Sequence, residues 1–403
     1  MSPEWSPQNR GLSRRDVLRR GAVATAIAGL GLSGLSSSAV AGGEVPSDAI
    51  PIDGPTVITE PGYYVLTKDI VAKSGETLIR VEPGVNGVTI DGQGHLLEGC
   101  GKGTYPYCTG IDVGEYSESP TENFTLKNLH VTGFETGITL GDFSGGEIHD
   151  VKVTRCGRGL WYLNASDVAV TDSILAKNRT AIDATEGGNG NVFRRNRITK
   201  NDSVSFFNET SADELVFENN RVDYNGRGLS IAGGTVAPSI TGNFFFQNGS
   251  VLSIEELSGG LIRGNRIIEN EGDGLSIDVS TTRGSPSTTL IEENEIYRNG
   301  GVGIEFRSRV NDCTVSKNGI IGNGDDGIRI QSSDGNELVG NLIRQNDGDG
   351  IELVNSDDNV VRENVVRENA GEPIKIDENS TGNVVEDNRI GDDAPNVCYL
   401  PEE

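Results

Sequence analysis

Asn318-Gly319-Ile320-Ile321-Gly322-Asn323-Gly324-Asp325-Asp326-Gly327-Ile328-Arg329-Ile330 is followed 23 residues later by Asn341-Leu342-Ile343-Arg344-Gln345-Asn346-Asp347-Gly348-Asp349-Gly350-Ile351-Glu352-Leu353. Both stretches open on Asn, carry a buried-type residue two positions on, repeat Asn at the fifth step, and end in a Gly-apolar pair followed by alternation. The same element recurs from Asn265 through Asn294, Asn318, Asn341 and Asn364 to Asn388, at spacings of 29, 24, 23, 23 and 24. Backward, Asn243, Asn220, Asn196, Ser173, Asp150 and Asn128 are placed at the same position. A second polar column follows five residues later, including Asn299, Asn323, Asn346 and Asn369. A third, apolar column runs three residues ahead of the first Asn, through Ile262, Ile291, Val315, Leu338 and Val361.

Each copy therefore holds three short alternating runs, and alternation marks strands with one buried face. No run shows apolar residues at three-to-four spacing over the length a helix needs. A coil of about 23 residues buries its apolar face only against neighbouring coils, so like residues stack on like. The expected fold is all-β, a right-handed parallel β-helix: a three-stranded solenoid of about 12 coils of 22–24 residues. Stacked Asn at the bends would bond the amides of the neighbouring coil. Gly of the Gly-apolar pair would supply a positive φ at the bend. A leucine-rich repeat has a similar period but requires L-x-x-L-x-L, which is absent.

The organisation follows from this register. Residues 1–41 read as an export segment: Ser13-Arg14-Arg15-Asp16 precedes a soft apolar run and Ala39-Val40-Ala41. Paired Arg after Ser is the twin-arginine signature, so the twin-arginine translocase is the expected partner in export. Residues 42–98 read as a lead-in or cap, 99–390 as coils with insertions at 100–123 and 278–288, and 391–403 as a tail. No later run is long and apolar enough for a transmembrane helix.

Composition narrows the functions. Only 34% of residues are hydrophobic and 5% aromatic, while Gly numbers 55. That suits a narrow bore of small side chains better than a globular core. The formal net charge of −26 disfavours nucleic acid and anionic membranes. A dense carboxylate surface suits solvation in high salt. Of the five Cys, Cys100 and Cys108 flank a Tyr-rich loop and are candidates for a disulfide, whereas Cys156 and Cys313 are expected as buried thiols.

Candidate site residues lie in two places. Asp325 and Asp326, with Arg329, are the sharpest acid–base candidates, since paired carboxylates can work as acid and base on glycosidic bonds. Asp273, Asp326, Asp349 and Glu372 share one turn column and could hold calcium; the competing reading is plain turn solvation. Between the apolar residues of the Gly-apolar strand, Ser230, Ser253, Ser276, Glu305, Arg329, Glu352 and Lys375 form an outward column. Its last four alternate in sign and are expected to pair as an exposed ion ladder. Tyr105, Tyr107 and Tyr116, in the first insertion, are candidates for stacking on sugar rings.

The lead-in segments Pro61-Gly62-Tyr63-Tyr64-Val65-Leu66 and Val88-Thr89-Ile90-Asp91-Gly92-Gln93-Gly94, with the Asn/Gly coils, resemble the right-handed parallel β-helix proteins of the pectin-lyase-like superfamily. Within it the chain looks most like secreted repeat proteins related to NosD, which is linked to copper-site maturation; export route and acidity resemble secreted proteins of halophilic archaea. The resemblance covers roughly residues 50–390. It implies a polysaccharide or a cell-envelope glycan as partner, bound without catalysis or cleaved by a lyase, hydrolase or epimerase, or else an accessory role. Gly324-Asp325-Asp326-Gly327 is similar to the Asp-Asp motif of polygalacturonases, but the Asn-Thr-Asp, Gly-His-Gly and Arg-Ile-Lys segments of that family are absent. His95, His130 and His149 are many coils away. Arg329 beside Asp326 also resembles the Arg base and calcium-bound Asp of pectate lyases. One Met, three scattered His and no Cys/His cluster argue against a copper relay.

Overall fold

The three runs of each repeat become three strands, and each strand pairs in parallel with its counterparts one coil before and one coil after. The structure, a computed structural model, describes residues 45–391 except 115–119, 187–188, 208–212, 233–234 and 280–288. The export segment, Tyr116, most of the second insertion and the tail lie outside the described residues. Three parallel faces result. The first holds the Gly-apolar strands Ile304–Phe306, Ile328–Gln331, Ile351–Val354 and Ile374–Ile376. The second holds Thr314–Ser316, Glu337–Val339, Val360–Arg362 and Val384–Glu386. The third holds Glu295–Tyr297, Gly319–Ile321, Leu342–Arg344 and Val365–Arg367. The right-handed β-helix makes about thirteen turns, roughly 60 Å of stacked coils at the usual strand spacing. No helix among the described residues is long and apolar enough to cross a membrane.

The bore is narrow and filled with apolar side chains. Val315, Ile320, Ile328, Leu338, Ile343, Ile351, Val361 and Val366 are all 0% exposed. Phe193, Phe217 and Phe245 stack at 6.2 and 6.4 Å between ring centroids. Cys156 and Cys313 are buried free thiols.

The Asn columns line two corners as hydrogen-bonded ladders. The Asn318 amide donates to Asn341 Oδ1 at 2.9 Å, and Asn318 Nδ2 donates to the Ile291 carbonyl at 2.9 Å and to Asn341 Oδ1 at 3.0 Å. Asn265, Asn294, Asn341 and Asn364 repeat this pattern, and Asn388 receives the last of it. The second ladder runs from Asn178 to Asn369. The corner groups that a tight bend strips of strand partners are thereby satisfied in the interior. A short third ladder, Cys313 to Asn336, Asn359 and Asn383, closes the remaining corner of the last coils. These residues keep a constant place in the last coils, each five positions ahead of a first-ladder residue, Asn318, Asn341, Asn364 or Asn388.

Four expectations are corrected. First, Gly of the Gly-apolar pair is not the left-handed residue. That role falls to the residue just before each ladder Asn, for example Lys317 (φ 55), Gln345 (φ 57) and Glu363 (φ 58). Gly327 is required for close approach: an added Cβ would lie 2.4 Å from Ile343 Cγ2 and 2.6 Å from the Gly350 carbonyl. Second, the ladder register slips by one residue in the early coils. Lys152 pairs with Ile174 and Val151 with Leu129, so Leu129 and Val151, not Asn128 and Asp150, align with Ser173. Asn128 (φ 54) and Asp150 (φ 55) instead take the left-handed corner, which short polar side chains adopt most readily.

Third, the lead-in already winds as coil: Thr77–Val81 pairs with Thr109–Val113, and Gly62–Leu66 with Val88–Asp91. Alternation suffices there without the Asn/Gly element. Fourth, the stretch 100–123 is only partly a loop. Residues 109–113 are a regular strand of the first face, and a strand begins at Thr121. Cys100 and Cys108 are disulfide-bonded at the base of the projecting loop, with Cα atoms 6.2 Å apart.

Candidate functional site

The outward column of the first face comes into register as the repeat requires. Leu252, Ser253 and Ile254 pair with Leu275, Ser276 and Ile277, and Glu305, Arg329, Glu352 and Lys375 succeed them coil by coil. Three serines in a row leave a depression of about 240 Å³, bounded by Arg227 on one side and by Asp273 and Arg307 on the other. Toward the N-terminal end the same column carries Asp183 and Trp161. The Arg158 guanidinium lies 4.4 Å from the Trp161 ring centroid and bonds Asp183 at 2.7 Å. Trp161 was legible from the sequence, because Gly159-Leu160-Trp161-Tyr162 is a Gly-apolar strand with an aromatic residue in the outward place.

The charged end of the face gathers residues from three consecutive coils. Arg329 Nη2 lies 2.6 Å from Asp326 Oδ2 and 3.2 Å from Asp325 Oδ1, and Arg329 Nε lies 2.9 Å from Glu352 Oε2. Lys375 Nζ bridges Glu352 Oε1 at 2.7 Å and Asp349 Oδ2 at 3.1 Å. The remaining oxygens act as turn acceptors: Asp326 Oδ1 receives the Asp349 amide and Asp349 Oδ1 the Glu372 amide, each at 2.6 Å. Asp273 does the same for Val302 at 2.9 Å and binds Arg307 through its other oxygen. The carboxylate column is thus a ladder of its own, capping amides as the Asn columns do. Glu305 leaves the alternating ladder and pairs with Arg307 at 2.6 Å instead.

Asp326 is 2% exposed, so it is no solvated turn residue. Burial pushes its carboxyl up to about 6, against the pull of the Asp349 amide and Arg329, and Glu352 adds to the rise. For Glu352, burial alone would act upward, but hydrogen bonds from Lys375 and Arg329 outweigh it and hold the group below the ordinary range. Two carboxyl groups in one cluster are driven in opposite directions, one toward keeping a proton and one toward losing it.

Among the described residues, Asp326, Asp349 and Glu352 form the group whose ligand atoms approach within 4.8 Å of one another. Arg329, Lys375 and two backbone amides hydrogen-bond five of their six carboxylate oxygens, and Asp326 Oδ2 is buried without a hydrogen-bond partner although Arg329 Nη2 lies 2.6 Å away, so a hard cation would have to displace two internal cations. The residues do not fit calcium as they stand. Of the four residues expected to share calcium, Asp326 and Asp349 are adjacent. Asp273 is two coils away from Asp326, with Val302 between, and Glu372 is exposed on the far side. Glu352, not in that set, completes the cluster because it stacks between Arg329 and Lys375.

Tyr105 and Tyr107 are 81% and 57% exposed and meet edge to face at 5.7 Å. Their loop leads into Thr109–Val113, nine coils from Ile328–Gln331, or roughly 43 Å at strand spacing. The structure does not bring them to the carboxylates.

Fold and columns together define a right-handed parallel β-helix repeat protein with a polar outward face that carries Trp161. The right-handed β-helix region family matches residues 109–255 and 258–399, and the chain belongs to that family. No curated protein matches the sequence. Among solved structures, the catalytic unit of an α-1,3-glucanase from Streptomyces thermodiastaticus is similar at a TM-score of 0.52, with 13% identity over 85% of this chain and 70% of that one. The periplasmic alginate epimerase AlgG follows at 0.44, with 15% identity over 79% and 78%. The A-module of a mannuronan C-5 epimerase from Azotobacter vinelandii gives 0.38, with 14% identity over 82% and 88%.

Proposed function

We propose that the protein is exported through the twin-arginine route and binds a linear polysaccharide or cell-envelope glycan along its first face, without cleaving it. The observation that carries this reading is the continuous outward column: Trp161 toward the N-terminal side, where Thr139, Asp112 and Arg80 continue it, Ser230, Ser253 and Ser276 along the middle, and the Asp325–Arg329–Glu352 cluster toward the C-terminal side. An aromatic ring, a row of hydroxyls and ion-paired carboxylates match the apolar ring faces and hydroxyls of a sugar chain. Binding without catalysis is favoured because Arg329 and Lys375 hold the carboxylates of the cluster in internal ion pairs. A copper-handling accessory role has less support: His95, His130 and His149 contact Asp69, Thr154 and Asp150 in separate places.

A panel of neutral and acidic polysaccharides, titrated while Trp161 fluorescence is followed, tests the reading. Saturable binding that W161A weakens is expected, with unchanged behaviour in the presence of calcium or a chelator. Catalysis is the second reading, and the raised Asp326 beside the lowered Glu352 is what favours it. An unsaturated, ultraviolet-absorbing product that D326A abolishes would establish it and overturn the first.

A further inference from the structure

The third face carries both a knob and a hole. Its outward column runs Phe244, Arg266, Glu295, Gly319, Leu342 and Val365. At Gly319 the column has no side chain, and an added Cβ would meet nothing within 4 Å. The gap opens a pocket of about 220 Å³ walled by Ile268, Tyr297, Ile321 and Leu342, with Glu293 and Glu295 also lining it. Four coils toward the N-terminus stands Tyr224, the most exposed aromatic residue of this face at 46%, braced edge to face against Phe246.

Knob and hole are about 19 Å apart along the stack of coils. They also lie on opposite edges of the face: Tyr224 follows the strand Arg221–Asp223, whereas Gly319 opens the strand Gly319–Ile321. A two-fold axis perpendicular to the face, through the strand Arg266–Ile268 midway between them, therefore carries Tyr224 of each copy onto Gly319 of the other. The charges along the edges agree with that axis. One edge row runs Arg155, Lys177, Lys200 and Tyr224, and the opposite row Glu293, Lys317, Gly340, Glu363 and Asp387. Arg155, Lys177 and Lys200 are exposed and, among the described residues, make no ion pair. The axis sets Lys177 against Glu363, Arg155 against Asp387 and Lys200 against Gly340 of the other copy. Two like pairs also meet, Arg197 with Arg344 and Glu368 with Asp172, but Asp223 and Arg195 already hold Arg197 and Asp172 within the chain.

We infer that the third face is a docking surface for a second copy of this chain, in an antiparallel two-fold dimer centred on Tyr224 seated in the Gly319 recess, twice over. The phenol ring fills the apolar hollow and its hydroxyl has the Glu293 and Glu295 carboxylates as acceptors. From the coil of Arg155 to that of Asp387 the face is about 48 Å long and about 15 Å wide, roughly 700 Å² a side, close to the roughly 800 Å² of a specific interface. The net charge of −26 opposes association at long range, and salt screens that repulsion while leaving the seated ring in place. The first face stays open on both copies, so the dimer stands whether or not that face binds glycan.

The test is sedimentation of the full chain in about 0.15 M and about 1 M salt. A dimer is expected, tighter at the higher salt. Y224N and G319L should each weaken it about tenfold or more, as loss of a central aromatic anchor does. Asn readily adopts the left-handed corner that Tyr224 (φ 58) occupies, and Leu is what the column already carries at position 342, so both variants should keep their fold. Far-ultraviolet circular dichroism and the unfolding midpoint check this. At the lower salt K177E should weaken the dimer severalfold and K177E/E363K should restore it, because the two-fold reverses both members of each pair. W161A should dimerise as the wild type does. A chain monomeric at both salt concentrations would overturn the assignment. So would a dimer indifferent to Y224N and G319L, one that K177E/E363K leaves as weak as K177E, or one lost in W161A.

Discussion

The early coils and the late coils solve the same corner in opposite ways. Between Thr121 and Thr171 the backbone runs in strands of 12, 19 and 14 residues that continue around the bends. There Asn128 and Asp150 sit outside at the left-handed position and Leu129 and Val151 fill the interior, each 2% exposed. From Asn265 onward, strands are two to four residues long, long polar residues or Gly take most of the left-handed positions, and Asn turns inward to join the ladder. The first arrangement closes the corner with apolar contact, the second with hydrogen bonds. The early coils take 22 residues each, from Leu129 to Val151 to Ser173, and the late ones 23 or 24 apart from the 29 between Asn265 and Asn294, and the outward columns of the late coils come into strict register. The charged cluster and the Gly319 recess both arise there.

The comparison predicts unequal sensitivity. Asn341→Ala should be the most damaging change. Asn341 Oδ1 accepts two bonds from Asn318, and its Nδ2 donates to the Val315 carbonyl and Asn364 Oδ1. Leaving several buried groups unmade is expected to cost about 3 kcal/mol or more, seen as a lower urea midpoint and faster amide exchange in the last coils. Gly327→Ala should follow at about 2 kcal/mol, because the methyl would overlap the Gly350 carbonyl and Ile343. Gly319→Ala, in open space, should be nearly silent in the same denaturation assay.

Asp326→Asn is expected to stabilise the protein above about pH 7. The native Asp326 carboxyl is raised from 3.8 to about 6, so the folded state binds its proton more tightly than the unfolded chain does. Its ionisation therefore costs stability above that value, and the cost is relieved as pH falls through 6 toward 4. Against wild type, D326N should gain on the order of 1–2 kcal/mol at about pH 8 and nothing below about pH 4. An equal difference at both pH values would show that the carboxyl is not raised. Asp150→Ala should have a small effect, under about 1 kcal/mol, because the Asp150 side chain is 52% exposed and contributes mainly its tolerance of the left-handed corner. A loss as large as that from Asn341→Ala would show that the early corners rely on polar bonding after all.

Much of this was legible in the sequence where a side chain repeats with the coil. Asn265 to Asn388, the buried columns through Ile320 and Ile328, and the order Ser276, Glu305, Arg329, Glu352, Lys375 follow from period and alternation alone. Where the element fades, reading failed: Asn128 and Asp150 are polar residues at nearly the right spacing, yet one residue out of phase with Ser173. Only the tertiary structure decided that Asp326 is buried, that Glu352 joins it and Asp349, that Glu305 turns to Arg307, and that Gly319 opens a recess beside Arg344. Register sets which residues are neighbours across coils. How deep each lies, and which donor reaches it, depends on the lengths and directions of side chains some 23 positions apart, and no stretch of chain contains that information locally.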